Sequence, residues 1–314
     1  MIFKALFSLI LSIFGYPSHD QIWFETAQKM AAANSPDEMR AILDEKLPGF
    51  VSKLEKDATQ NRKLIELWGM SRNIDESHLT DGTLTVPANV LRYFNSIFKL
   101  NFDSTFTHGH AGLTHTYGYL MSNLSTPYGF KRARYVAGEI ESGFGLPSGT
   151  FSGLPSHGTL LSNLTLFAGP FAFPDHPELL AGIKSEVPEI ANFNHSRLKV
   201  MRLVEMIKNE RYTLEIHTDI VPFADINTHG KNRALLIYSI DFHATGHDSQ
   251  PRLITVFPIE SNFTKSLFVP ADLGDRVAIK LKYNAALPID IPLNEMVGKR
   301  FITHERPAAE HSSP

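Results

Sequence analysis

Three stretches in the first third of the chain repeat their apolar residues at helical spacing. Ser35-Pro36-Asp37-Glu38 supplies a capping hydroxyl, a proline suited to the first helical position and a glutamate placed to reach back, ahead of Met39, Ile42 and Leu43. A helix is expected to start there. A second pattern follows Pro48-Gly49, with Val51, Leu54, Ala58, Ile65 and Trp68 along one stripe and Lys53, Glu55, Lys56 and Arg62 off it. A third, from Pro87 to about Leu100, would bury Val90, Leu91, Phe94, Ile97 and Phe98.

From about residue 101 the long stripes disappear, and short apolar runs alternate with Gly, Pro and Thr. Gly118–Ser125 and Gly158–Thr165 resemble one another and read as two strand-to-turn segments. The clearest alternation lies between 198 and 243. Tyr212, Leu214, Ile216, Thr218 and Ile220 share one face of a strand, and Leu236, Tyr238, Ile240 and Phe242 share one face of the next. Folded as a hairpin about the polar loop 224–231, these pair Leu214 with Phe242, Ile216 with Ile240 and Ile220 with Leu236. Earlier and later strands are expected at 198–207, 252–259 and 276–283. The fold class expected is α+β, with an N-terminal helical segment followed by a mainly antiparallel sandwich or barrel-like meander. Its segments run 1–16 (apolar leader or first buried helix), 17–100 (helical), 101–300 (β) and 301–314 (polar tail).

The hairpin's second face carries Glu215, His217, Asp219, Asp241 and His243, with Glu215 opposite Asp241. Two carboxylates directly across a ladder repel unless something positive lies between them. The preceding strand would set Arg202 beside His217, with Leu203 opposite Ile216, although a two-residue slip changes those partners and keeps the faces. Glu205 then falls on the apolar side. If the face lines a cleft, Glu215, His217, Asp241 and Arg202 suit acid–base catalysis on an anionic substrate. If it faces water, it is a solvated sheet surface, the commoner state of one side of an alternating strand.

Charge narrows the partners. A formal net charge of −3 among 314 residues gives no general attraction for nucleic acid or an anionic membrane. The absence of Cys removes disulfides, thiolate metal sites and Cys nucleophiles. Residues 1–15 are almost unbroken apolar, too short to span a bilayer, and fit equally an export or membrane-associating leader and a buried helix, which leaves localisation open. Asn123, Asn163, Asn194 and Asn262 head Asn-x-Ser/Thr tripeptides that matter only on a eukaryotic secretory route.

The segment from Thr107 to His115 holds His108, His110 and His115 among glycines. In an extended chain positions 108 and 110 share a face, as two ligands of one metal require, and His115, Asp103 or His157 could complete a site for Zn, Fe or Cu. The His-x-His spacing partly resembles the first metal motif of the cupins. His115 stands where cupins carry a Glu, and no second motif is clear around His157, so nothing further is carried over. A third cluster, Tyr128 to Tyr135, sets Lys131, Arg132 and Arg134 among aromatic rings, as an anion site or an exposed strand would. No Gly-x-Ser-x-Gly elbow, Walker loop, dinucleotide fingerprint or His-Glu-x-x-His helix occurs. The function expected is a metal-dependent enzyme acting on a small molecule. The alternative is a non-enzymatic β protein holding an apolar ligand among its 22 Phe residues, with peripheral membrane contact through the N-terminus.

Overall fold

A computed structural model describes residues 19–68, 70–72, 87–98, 108–110, 116–117, 120–122, 132, 135–208, 210, 212–224, 232–246, 251–260, 276–279 and 296–307. Helices α1 (His19–Ala32), α2 (Pro36–Lys46), α3 (Phe50–Gln60), α4 (Arg62–Leu67) and α5 (Ala88–Ile97) come first. Ser35 caps α2 by accepting from the Glu38 amide at 3.2 Å, while the Glu38 carboxylate reaches back to the Asn34 amide at 2.8 Å, one residue before the cap. The second expected helix is two, because the chain breaks at Asn61; Val51, Leu54, Ala58, Ile65 and Trp68 are all buried as the stripe requires. In α5 Val90 and Phe94 are buried, as is Phe98 just after its end.

Helix persists beyond residue 101, contrary to the expected change of class. α6 (Glu139–Phe144), α7 (Leu160–Ala172) and α8 (Pro188–Ala191) lie inside the span read as β, and the large sheet starts only at Lys199. The segment 158–165 is a helix start and not a strand. Thr159 accepts from the Ser162 amide, and Ser162 Oγ from the Thr159 amide, closing a capping box. α7 hid its period because it is buried nearly all round, with Leu166 alone among its residues outside the buried set. A helix apolar on every side shows no stripe.

The large sheet contains β3 (Lys199–Lys208), β4 (Tyr212–Pro222), β5 (Asn232–Ala244), β6 (Arg252–Glu260), β7 (Arg276–Ile279) and β8 (Met296–Pro307), in the order β6-β5-β4-β3-β8-β7. All its pairings are antiparallel. β3 to β6 form the expected meander. β8, however, returns to the free edge of β3 and puts residues 301–307, read as a polar tail, into a strand. Among the described strands the sheet is open, with β6 and β7 at its edges, and so does not close as a barrel. A small ladder of β1 (Met70–Arg72) and β2 (His108–His110) lies apart, pairing Met70 with His110 and Arg72 with His108.

The β4–β5 register is the expected one, with Leu214 opposite Phe242, Ile216 opposite Ile240 and Ile220 opposite Leu236. Those residues are buried on one face. The β3–β4 register is slipped by two: Arg202 faces Asp219, not His217, and Leu203 faces Thr218, not Ile216. Glu205 does fall on the apolar face, where its register partners are Ile216 and, across β8, Arg300.

The opposite face is where the helices pack. Val200, Val221, Phe223, Leu235, Ile237, Leu253 and Val256 join one core with α1 to α8, anchored by Trp68, Phe144, Phe167 and Phe171. Phe223 presses so closely on α6 that a Cβ at Gly143 would lie 2.4 Å from its ring, which restricts that position to glycine. Polar stitches fix the layers: Tyr135 donates its hydroxyl to the Val256 carbonyl, Arg202 Nη2 to the Phe171 carbonyl at 2.6 Å, and Trp68 Nε1 to Thr165 Oγ1 at 2.8 Å.

Candidate functional site

The helix-facing side of the sheet changes character along the strands. Its Val221, Leu235 and Ile237 end is apolar and joins the core with the helices, whereas Glu215, His217, Asp241 and His243 at the other end are only partly buried. The face is therefore neither wholly wet nor a barrel lumen. Between the two ends sits the Arg202–Asp219 pair, with Nε to Oδ1 and Nη2 to Oδ2 both 2.6 Å. Asp219 is fully buried and Arg202 is 7% exposed. Burial alone would lower the guanidinium pKa, but the Asp219 hydrogen bonds and charge outweigh it and leave it above its ordinary value. Arg202 thus commits Nε and Nη2 to Asp219 and the Phe171 carbonyl, inside the interface between sheet and helices.

Glu215 and Asp241 stand directly opposite, as the sequence predicts. Each has its own imidazole. His217 Nε2 lies 3.1 Å from Glu215 Oε2, and His243 Nε2 lies 3.0 Å from Asp241 Oδ2. The His217 hydrogen bond holds the Glu215 carboxyl below its usual range against the opposing effect of burial, and the His217, His243 and Arg202 charges add to this. A third imidazole arrives from the turn after α7. His176 Nε2 lies 3.8 Å from Asp241 Oδ2, and its Nδ1 is 3.1 Å from Glu178 Oε1. Periodicity does not show His176, since it sits in the proline-rich turn Pro174-Asp175-His176-Pro177, off any strand; that turn itself is the available signal. Across from His217, Ser239 is buried, and its hydroxyl has no partner among the described residues.

The candidate metal ligands are less gathered. His108 and His110 belong to β2, so their positions share one strand face, while His115 and Asp103 lie outside the described residues. His157 is exposed in the loop before α7, and its carbonyl accepts from Asn163 Nδ2 at 2.9 Å. Asn163 is itself fully buried, so its tripeptide offers no glycan site in the folded chain. Among the described residues no three His, Asp or Glu side chains converge as a metal-binding group.

In the third cluster Arg132 is 2% exposed, bonded through Nε to Asp20 at 2.7 Å and stacked over Phe24 at 5.1 Å. It is part of the packing against α1, not an anion site. No described helix is long and apolar enough to cross a membrane, and residues 1–18 lie outside the described set. No protein-family model, curated protein or solved structure matches the chain.

Proposed function

We propose that the chain is an enzyme that moves protons to and from a small polar substrate at the imidazole–carboxylate patch. The supporting observation is Asp241, whose Oδ2 faces His243 Nε2 at 3.0 Å and His176 Nε2 at 3.8 Å from two different elements. A carboxylate on one ring nitrogen fixes the imidazole's tautomer and leaves the other nitrogen for substrate. His243, the most open of these side chains, is the general acid–base; Glu215 and His217 form a second pair beside it. Ser239 is too deeply buried to act as nucleophile, and Arg202 and Asp219 hold the strands in register.

The test is a screen of ester, phosphoester and amide substrates with wild type and His243→Gln. Loss of about 100-fold or more in kcat for the variant, with an unchanged fold, supports the proposal. Wild-type rates in both His243→Gln and His217→Gln overturn it.

A second reading keeps a divalent transition metal on His108 and His110, with His115 or His157 completing the shell. It is supported by the extended backbone of β2, which sets 108 and 110 on one face. Elemental analysis tests it: stoichiometric Zn, Fe or Cu supports it, and metal-free protein with unchanged stability in chelator overturns it.

A further inference from the structure

A cleft of about 430 Å³ lies between α1, the end of α2 and the loop 148–154. Its apolar wall includes Trp23, Leu47, Val136 and Leu154; Gly138, Ser148 and Ser152 line its polar side, and Lys46 borders it. The loop is shaped by glycines in left-handed conformation at 145, 149 and 153. Gly153 cannot be replaced without collision, because a Cβ there would lie 2.9 Å from the Trp23 ring.

Next to Gly138 and Ser152 lies Glu141, 2% exposed, the third residue of α6 and part of its first turn. One carboxylate oxygen is fully used: Oε1 accepts from the Phe151 amide at 2.7 Å, the Ser152 amide at 3.0 Å and Ser152 Oγ at 2.8 Å. The other, Oε2, is buried and has no hydrogen-bond partner among the described residues. It lies beside Gly138, which lines the cleft: a Cβ there would sit 3.7 Å from this oxygen and 3.6 Å from Ser152 Oγ. A buried carboxylate oxygen without a donor is costly, and a donor that carries positive charge offsets that cost best. Lys46 does not fill this role, since its ammonium is held by Glu45 at 2.6 Å.

We infer that the cleft binds a small molecule with a primary ammonium group on an apolar body. The ammonium donates to Glu141 Oε2 past Gly138, and the apolar body lies against Trp23 and Leu154. Gly138, which lines the cleft, adds no side chain between the ligand and this oxygen. This assignment is independent of the proton-transfer patch and concerns none of its residues.

Titration of the full chain with n-pentylammonium, followed by calorimetry and by the Trp23 indole NMR signal, tests it, with pentanoate as the counter-probe. Saturable binding of the amine, no binding of pentanoate and about tenfold or greater weakening in Glu141→Gln are expected. Ser148→Trp, at an exposed position on the mouth, should block the amine while leaving the Glu141 contacts intact, and so decides the matter if Glu141→Gln fails to fold. No saturable amine binding, equal binding of pentanoate, or undiminished binding in both variants overturns the inference.

Discussion

Arg202 and Asp219 stand directly opposite one another on β3 and β4 and meet through two parallel contacts of 2.6 Å in the interface between sheet and helices. The pair occupies the place where the polar end of the sheet face gives way to its apolar end. It also fixes the register, because a two-residue slip would bury both charges apart from each other.

Removing one partner therefore costs more than removing both. Asp219→Leu should destabilise by about 3–5 kcal/mol, since it leaves a buried guanidinium without its carboxylate. Arg202→Met combined with Asp219→Leu should recover most of that loss. Urea denaturation of the two single variants and the double variant measures the coupling, and additive losses would refute it.

Asp57 gives a pH dependence of definite sign. It is fully buried, with Thr159 Oγ1 donating at 2.6 Å and Tyr117 Oη at 2.7 Å. Burial raises its pKa, and the bonds from Thr159, Tyr117 and Asn61 only partly reverse this. The unfolded chain then loses this proton first as pH rises, so stability is highest below the ordinary Asp value of about 3.9 and declines as pH climbs through the folded value. Asp57→Asn should flatten the decline in that window. A slope identical to wild type would count against the assignment.

Glu215 has the opposite sign. Its folded pKa is depressed, so its contribution is complete above the ordinary Glu value of about 4.3 and is lost as pH falls through the folded value. Glu215→Gln should leave stability nearly unchanged at neutral pH and reduce the steepness of acid unfolding. Its partial exposure keeps the effect small. Denaturation midpoints from about pH 3 to 6 measure it.

Trp68→Phe tests the stitch between α4 and α7. The indole N–H bond to Thr165 is lost, but Thr165 Oγ1 still donates to the Leu161 carbonyl at 2.7 Å and is not left bare. The cost should stay near 1–2 kcal/mol by thermal or urea unfolding. A loss as large as truncating an aromatic core residue, about 3–5 kcal/mol, would mean that packing at Trp68 and not the hydrogen bond dominates.

Local patterns were legible wherever one side of an element differs from the other. Ser35 to Glu38 announced α2, and the alternation around Leu214 and Phe242 set the β4–β5 register residue by residue. α7 was not legible, because nearly all-round burial removes the stripe by which a helix is recognised. β8 was missed because its partner β3 lies about a hundred positions earlier, beyond any local signal.

The same division holds for the candidate sites. The sequence by itself determined that Glu215 and His217 share one face of β4 and that Asp241 and His243 share one face of β5, since alternation with period two follows from backbone geometry. It could not decide what that face meets. Only the tertiary structure placed the helices on its apolar end, drew Arg202 to Asp219, and brought His176 beside Asp241 and the buried Oε2 of Glu141 beside Gly138. Those contacts join residues far apart in the chain. They arise from how whole layers pack, which no short run of residues encodes.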